Sequence, residues 1–274
     1  VTAPRDIRLL LSDVDGTLVG HDKVLSQAAL DAARGLRAAG IELALTSSRP
    51  VFGLRMLVEP LAVTLPLAGF NGGVLANPDL SVIERHPIAP DAARQAVEVL
   101  AKQGLDVWLY TEDAWFVPRA DGPHVARETF ILQTDPEVAT AFTDAQLGNA
   151  FKIVGVSDDH ALVAKSEAAA QAALGETASA TRSEPHFLDV TNPEANKGAV
   201  VGRLAERLGI SPRQIATIGD GQNDVLMFRR GGFSIAMGNA ADAVKAAADV
   251  VADSNEDDGW AKAVTRFLLR AQAA

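Results

Sequence analysis

The chain has 274 residues, 48% of them hydrophobic and 22% charged, which excludes a disordered chain and supplies enough apolar surface for a sizeable core. A formal net charge of -10 opposes nucleic acid and anionic lipid as partners, and opposes a phosphorylated substrate unless the site brings its own cation. There is no cysteine, so disulfides, thiolate metal sites and thiol nucleophiles are excluded.

In chain order, Ile7–Leu11 reads as a buried strand. Ser26 suits the N-cap of a helix running to about Ala39, and Gly40 suits its stop. Ile41–Thr46 is the next strand, Pro50 opens a helix, and Leu65–Phe70 is a third strand ending at Asn71-Gly72-Gly73. This β-α-β-α-β rhythm predicts a parallel sheet with helices on both faces. The middle of the chain changes character. A helix over Asp91–Gln103 precedes a hairpin of Asp106–Tyr110 and Ala114–Val117, and a short helix is expected near Pro123–Ile131. Phe151–Val156 is a strand, His160–Leu174 a helix, and Ala178–Arg182 pairs with His186–Val190. Helices with hairpins predict an α+β module with an antiparallel sheet. The α/β rhythm then returns with a helix at Lys197–Leu208, a strand at Ile215–Gly219 and a helix containing Val225–Arg229. Strands at Phe233–Met237 and Asp249–Ala252 follow, then a final helix from about Gly259. The fold class is α/β: a Rossmann-like parallel-sheet core, residues 1–80 and 191–274, with an inserted α+β cap, residues 81–190.

No apolar stretch approaches the roughly 20 residues that span a membrane, and nothing resembles a signal peptide. Together with the missing cysteine this favours the cytoplasm. Val1 fits either an alternative start or a trimmed end.

Two strings carry chemistry. Ser12-Asp13-Val14-Asp15-Gly16-Thr17 follows the apolar run Leu9-Leu10-Leu11. In extended geometry residues two apart point the same way, so Asp13 and Asp15 face one cavity beyond the strand's carboxyl end, where open α/β sheets bind ligands. An Asp-Gly turn would explain the dipeptide alone, but not the whole strand-D-x-D-G-T string. Gly219-Asp220-Gly221-Gln222-Asn223-Asp224 follows a second predicted strand. Oxygen ligands converging from two strand ends suit a hard cation such as Mg²⁺, and without cysteine a softer metal fits less well. The histidines, at 21, 86, 124, 160 and 186, are dispersed without ligand spacing and read as surface or lightly packed residues. Trp108, Tyr110, Trp115 and Phe116 read as packing for the inserted module rather than a lid over a sugar. Glu256–Asp258 reads as a solvated loop, and no nucleotide-binding P-loop string is present.

The two strings resemble the first and fourth motifs of the haloacid dehalogenase-like superfamily. Between them, Leu45-Thr46-Ser47-Ser48-Arg49-Pro50 resembles the second motif and Asn196-Lys197-Gly198 the third. Phe70-Asn71-Gly72-Gly73 and Ser254–Gly259 are similar to strings of the Cof-type branch, whose insertion is a class IIB cap. Ser48 departs from that branch, which usually has glycine there.

The resemblance implies a phosphatase for small phosphorylated molecules, often sugar phosphates. Asp13 is then the nucleophile that forms an aspartyl-phosphate, and Asp15 the general acid and base. Asp13, the Asp15 main-chain carbonyl and Asp220 bind Mg²⁺. Ser47, the Ser48 amide, Lys197 and Asn223 hold the phosphoryl oxygens, while Asp224, Arg49 and Asn71 support this group or touch substrate. Dehalogenases and P-type ATPases of the superfamily usually lack an acid at the position of Asp15, which favours phosphoester chemistry. Two rivals share the fold: a phosphomutase, and a sensor of phosphorylated ligands, which needs no acid-base residue.

Overall fold

The computed structural model describes residues 4 and 6–270, so Val1 lies outside the described residues. The chain divides into two compact units, one of Val1–Ser48, Leu54–Val82 and Asn196–Ala274, the other of Arg49–Gly53 and Ile83–Ala195.

The first unit is built on a five-stranded parallel sheet. Its strands lie in the order Val250–Val251, Phe233–Ala236, Ile215–Gly219, Leu9–Ser12 and Glu42–Leu45. Leu9–Ser12 is central and buried on both faces, which is why it reads as a continuous apolar run. Ser12 stands level with Ile218 on one side and Leu45 on the other. The segments that begin at Asp13, Asp220 and Thr46 therefore leave the sheet along one edge.

Ser26 caps the helix Gln27–Ala38 by accepting from the Ala29 N–H. That helix buries Ala29, Ala32, Ala33 and Leu36, the spacing of one helical face. Gly40, at φ 72°, takes the left-handed conformation that ends it.

The third predicted strand needs correction. Leu67–Gly69 does not join the five-stranded sheet. It pairs antiparallel with Val74–Ala76 in a separate three-stranded sheet, and among the described residues an isolated parallel bridge, Thr46 to Ala68, links it to the strand end beside it. The tight turn at Phe70–Gly72 reverses the chain before a crossover helix can form.

The second unit has a six-stranded sheet, antiparallel except where Trp115–Val117 runs parallel to Glu137–Val138. The helices Pro90–Lys102 and His160–Leu174 contribute Ala93, Ala96, Leu100, Val163 and Ala170 to a core shared with Val107, Leu109, Ile153, Leu188 and Val190. The alternate residues Trp108, Tyr110, Lys152 and Asp189 occupy the other face of this sheet. Trp108 meets Trp115 edge-on at 5.6 Å, Tyr110 stacks on Trp115 at 5.8 Å, and the Trp115 Nε1–H donates to the Thr134 carbonyl. These aromatics pack the unit, as their positions predict, with Phe116 in the helix-side core.

The histidines are less scattered than their numbers suggest. His124 and His186 stack 3.8 Å apart, and His160 lies 6.5 Å from His186. Among the described residues no helix is long and apolar enough to cross a membrane.

Candidate active site

At the carboxyl edge of the parallel sheet, Asp13 follows the central strand, and its N–H donates to the Ile218 carbonyl. Its side chain is almost fully buried. The Ser12 hydroxyl donates to the Asp13 carbonyl at 2.6 Å, and the Trp260 indole N–H donates to the Ser12 hydroxyl at 2.9 Å. The backbone that carries Asp13 is thus fixed from the last helix of the unit.

Lys197 is the first residue of the helix Lys197–Leu208, whose N-cap, Asn196, accepts from the Ala199 N–H. Its ammonium is buried and donates at 2.6 Å to Asp13 Oδ1 and at 2.6 Å to Asp224 Oδ1. Asp224 is completely buried, and its Oδ2 accepts from the N–H groups of Asp220 and Gly221. This carboxylate therefore orients Lys197 and the turn that holds Asp220. Gly198 lets the helix start approach closely, since a Cβ there would lie 2.8 Å from the Leu226 carbonyl oxygen.

Asp220 accepts from the Thr17 hydroxyl at 3.3 Å and from Asn239 Nδ2 at 3.2 Å. It also packs against Gly16, where φ is 76° and a Cβ would stand 2.3 Å from Asp220 Oδ2. Glycine is therefore required twice over, by conformation and by space.

The electrostatics show an excess of negative charge. Burial, with Asp224 and Asp220 adding to it, pushes the Asp13 carboxyl up to about 8 against the pull of Lys197. Burial and then Asp224 push Asp220 up to about 6. Burial disfavours the Lys197 ammonium, but Asp13 and Asp224 outweigh it and raise its pKa. Three carboxylates share one buried ammonium. Asp13, Asp220 and Asp224 each offer an oxygen within 4.8 Å of the others, so the donor set and the charge deficit both fit a hard divalent cation. Asp224 is held by the closer bonds, 2.6–3.0 Å from the Lys197 ammonium and two backbone N–H groups, whereas the bonds to Asp220 are 3.2 and 3.3 Å, which leaves Asp13 and Asp220 as the side chains better placed to bind it.

The other sequence-derived candidates fall nearby or elsewhere. Ser47 is buried, its N–H bound to the Ala68 carbonyl and its carbonyl to the Asn71 N–H. Asn71 is left-handed at φ 57°, and its Oδ1 accepts from Asn223 Nδ2 at 2.9 Å, so the turns bearing Ser47 and Asn223 are joined through it. Ser48, half-buried, is the last residue before the chain enters the second unit. Arg49 belongs to that unit, where its Nη1 donates to the carbonyls of Gly53 and Ile131. Asp15 is half-buried, and Lys23 Nζ lies 2.7 Å from its Oδ1.

Sequence reasoning missed Lys23, Thr17, Asn239 and Asn255. Thr17 stood inside the first string and only its role was overlooked. Asn239 donates to the Gly16 carbonyl and accepts from the Asn255 N–H, a link with no local signature. Glu256, expected in a solvated loop, accepts from both the His21 N–H and His21 Nδ1.

Comparison with known proteins gives this arrangement its context. The chain is 26% identical to the 5-amino-6-(5-phospho-D-ribitylamino)uracil phosphatase YcsE of Bacillus subtilis, covering 96% of this chain and 97% of the relative. It is 28% identical to the pyridoxal phosphate phosphatase YbhA of Escherichia coli, over 96% of this chain and 99% of that one. A crystal structure of a haloacid dehalogenase-like hydrolase from Bacteroides thetaiotaomicron superposes with a TM-score of 0.86 at 26% identity, covering 95% and 99% of the two chains. The family model for haloacid dehalogenase-like hydrolases matches residues 10–264, nearly the whole chain, and the chain therefore belongs to that family, as one of its phosphatases.

Proposed function

We propose that the protein is a Mg²⁺-dependent phosphatase that hydrolyses small phosphomonoesters, sugar phosphates foremost, through an aspartyl-phosphate on Asp13. The observation that carries this reading is the group of three carboxylates, Asp13, Asp220 and Asp224, around the single ammonium of Lys197, which leaves the site short of positive charge. The named relatives act on small phosphorylated compounds, one with a phosphoribityl chain and one with pyridoxal phosphate. The sugar-phosphate class rests on the resemblance to the Cof-type branch.

Asp13, Asp220 and the Asp15 carbonyl would hold the metal, which when bound supplies divalent charge to the phosphoryl oxygens. An Asp13 carboxylate oxygen forms the new bond to phosphorus as the bond from phosphorus to the leaving oxygen breaks. Asp15 gives its proton to that oxygen. It then takes a proton from the water whose oxygen attacks phosphorus, and the bond to Asp13 breaks to release inorganic phosphate. Lys197 holds the Asp13 carboxylate in place, while Ser47, the Ser48 amide and Asn223 bind the transferring oxygens. We infer that the second unit selects the substrate, since it lies between the second and third motifs and carries neither nucleophile nor acid. The whole reading is tested with 4-nitrophenyl phosphate. Phosphate release should vanish in chelator and return with Mg²⁺. Full activity in metal-free buffer would exclude the proposed role of the metal.

A further inference from the structure

Lys23 belongs to none of the motif strings, yet its ammonium lies 2.7 Å from Asp15 Oδ1. We propose that Lys23 is a positioning residue: it fixes the orientation of the Asp15 carboxyl group, and the turn that carries it is strained to bring it there. The inference rests on the assignment of Asp15 as acid and base.

Three observations support it. First, the pair is sheltered. The side chains of Lys23 and Asp15 are 13% and 27% exposed, unlike the loose surface pairs that contribute little. Second, Lys23 has φ 60°, in the left-handed region that favours glycine or asparagine over lysine. Glycine would be easier to hold there, but it has no ammonium to offer Asp15. A strained residue that contacts a reacting group is the pattern expected where strain serves a site. Third, the turn is pinned from outside. Its Lys23 N–H donates to the Gly20 carbonyl, and Asp15 forms a bridge with Val19. Asn255 Nδ2 donates to the Val19 carbonyl at 3.2 Å, and Glu256 Oε1 accepts from the His21 N–H at 2.9 Å and His21 Nδ1 at 2.7 Å. Gly20 sits so close to this carboxylate that a Cβ would lie 3.0 Å from Glu256 Oε1.

Each of the two paired acids thus has its own lysine. Lys197 serves Asp13 with Asp224, and Lys23 serves Asp15. An ammonium on Oδ1 stops the carboxyl group from rotating freely. The proton must be delivered to a leaving oxygen in one direction, and small misplacements of a catalytic group are costly.

The test uses the full chain with Mg²⁺ and two substrates, phenyl phosphate and 2,4-dinitrophenyl phosphate, which differ in how much they need a proton donor. K23G and K23M should lower kcat on phenyl phosphate by roughly 10²-fold, with a much smaller loss on the dinitrophenyl ester and little change in KM. K23R should recover most of the lost rate. K23G relieves the left-handed strain, so its melting temperature should not fall although its activity does. In a D15N background, K23G should cause no further loss, because Lys23 acts through Asp15. Equal losses on both esters, or the same loss in the D15N background, would overturn the positioning role and leave Asp15 as assigned. A D15N enzyme as active as the unsubstituted one on phenyl phosphate would instead remove the assignment of Asp15, and the role of Lys23 with it.

Discussion

Asp13 and Asp15 are chemically identical and two residues apart, and their surroundings differ in the way the proposed roles require. Asp13 is buried and held by an ammonium that also binds Asp224, so its carboxylate is fixed at the end of the central strand. Asp15 is half-buried, and its partner comes from a neighbouring turn. Asp13→Asn should abolish turnover, because an amide is a poor nucleophile and a weaker metal ligand. Asp15→Asn keeps the nucleophile and the main-chain carbonyl, and loses the proton donor and base, which contribute about 10²–10⁴-fold. With an activated aryl phosphate the first step should survive better than the second, so phosphorylated enzyme should accumulate. Rapid quench and intact mass measure this. An adduct on any residue other than Asp13 would overturn the assignment.

At the scale of elements, Asp13 and Asp220 stand just past the ends of strands, Lys197 opens a helix, and Lys23 lies in a turn. Lys197 opens its helix, where the dipole disfavours a cation by about 0.3–1 kcal/mol. Its two carboxylate partners outweigh that, and the Asn196 cap keeps the helix start in place. The resemblance placed Lys197 in the site, but its partners were legible only in the fold. The inserted unit is the contrasting case. Its longer strands and helices followed from periodicity, whereas the short elements Glu137–Val138 and Asp144–Gly148 did not, and no motif marks side chains that would select a substrate. Exchanging Ile83–Ala195 for the matching segment of a related phosphatase should reorder the preference among small phosphomonoesters and keep 4-nitrophenyl phosphate turnover. The second unit has its own core, which makes the exchange feasible. A folded chimera with an unchanged ranking would remove the specificity role.

For the molecule as a whole, the acidic balance seen in the composition is carried into the site, where three carboxylates meet one ammonium. The carboxyl groups of Asp13 and Asp220 are raised from 3.8 to about 8 and about 6. Between 3.8 and those values the folded chain keeps protons that the unfolded chain has released. These two groups therefore make the metal-free fold less stable as pH rises through that window. A divalent cation held by these carboxylates would take the place of the protons, so it should bind more strongly as they leave. The rise in melting temperature caused by excess Mg²⁺ should grow from pH 6 to pH 8. A shift that is constant, or that shrinks, across this range would show that the metal does not bind these carboxylates.

The sequence by itself determined the longer local elements and the family, while short elements such as Val74–Ala76 and Asp144–Gly148 had no readable pattern. The helices Lys197–Leu208 and His160–Leu174 and the strand Ile215–Gly219 have the limits their patterns predict, because caps and periodicity act within a few residues. The strings around Asp13, Lys197 and Asp220 were likewise readable, since each is a short run at an element's end. Tertiary structure alone decided the rest. Leu67–Gly69 carries no record of its partner's direction, and the turn at Phe70–Gly72 made the pairing antiparallel. His124 and His186 are 62 positions apart by number and stack only because a helix start and a hairpin turn meet. Lys23 reaches Asp15 through a turn pinned by residues more than two hundred positions away, including Glu256. The charge imbalance at Asp13 exists only when folding brings it against Asp220 and Asp224 and buries it there, and no single stretch of chain can specify that.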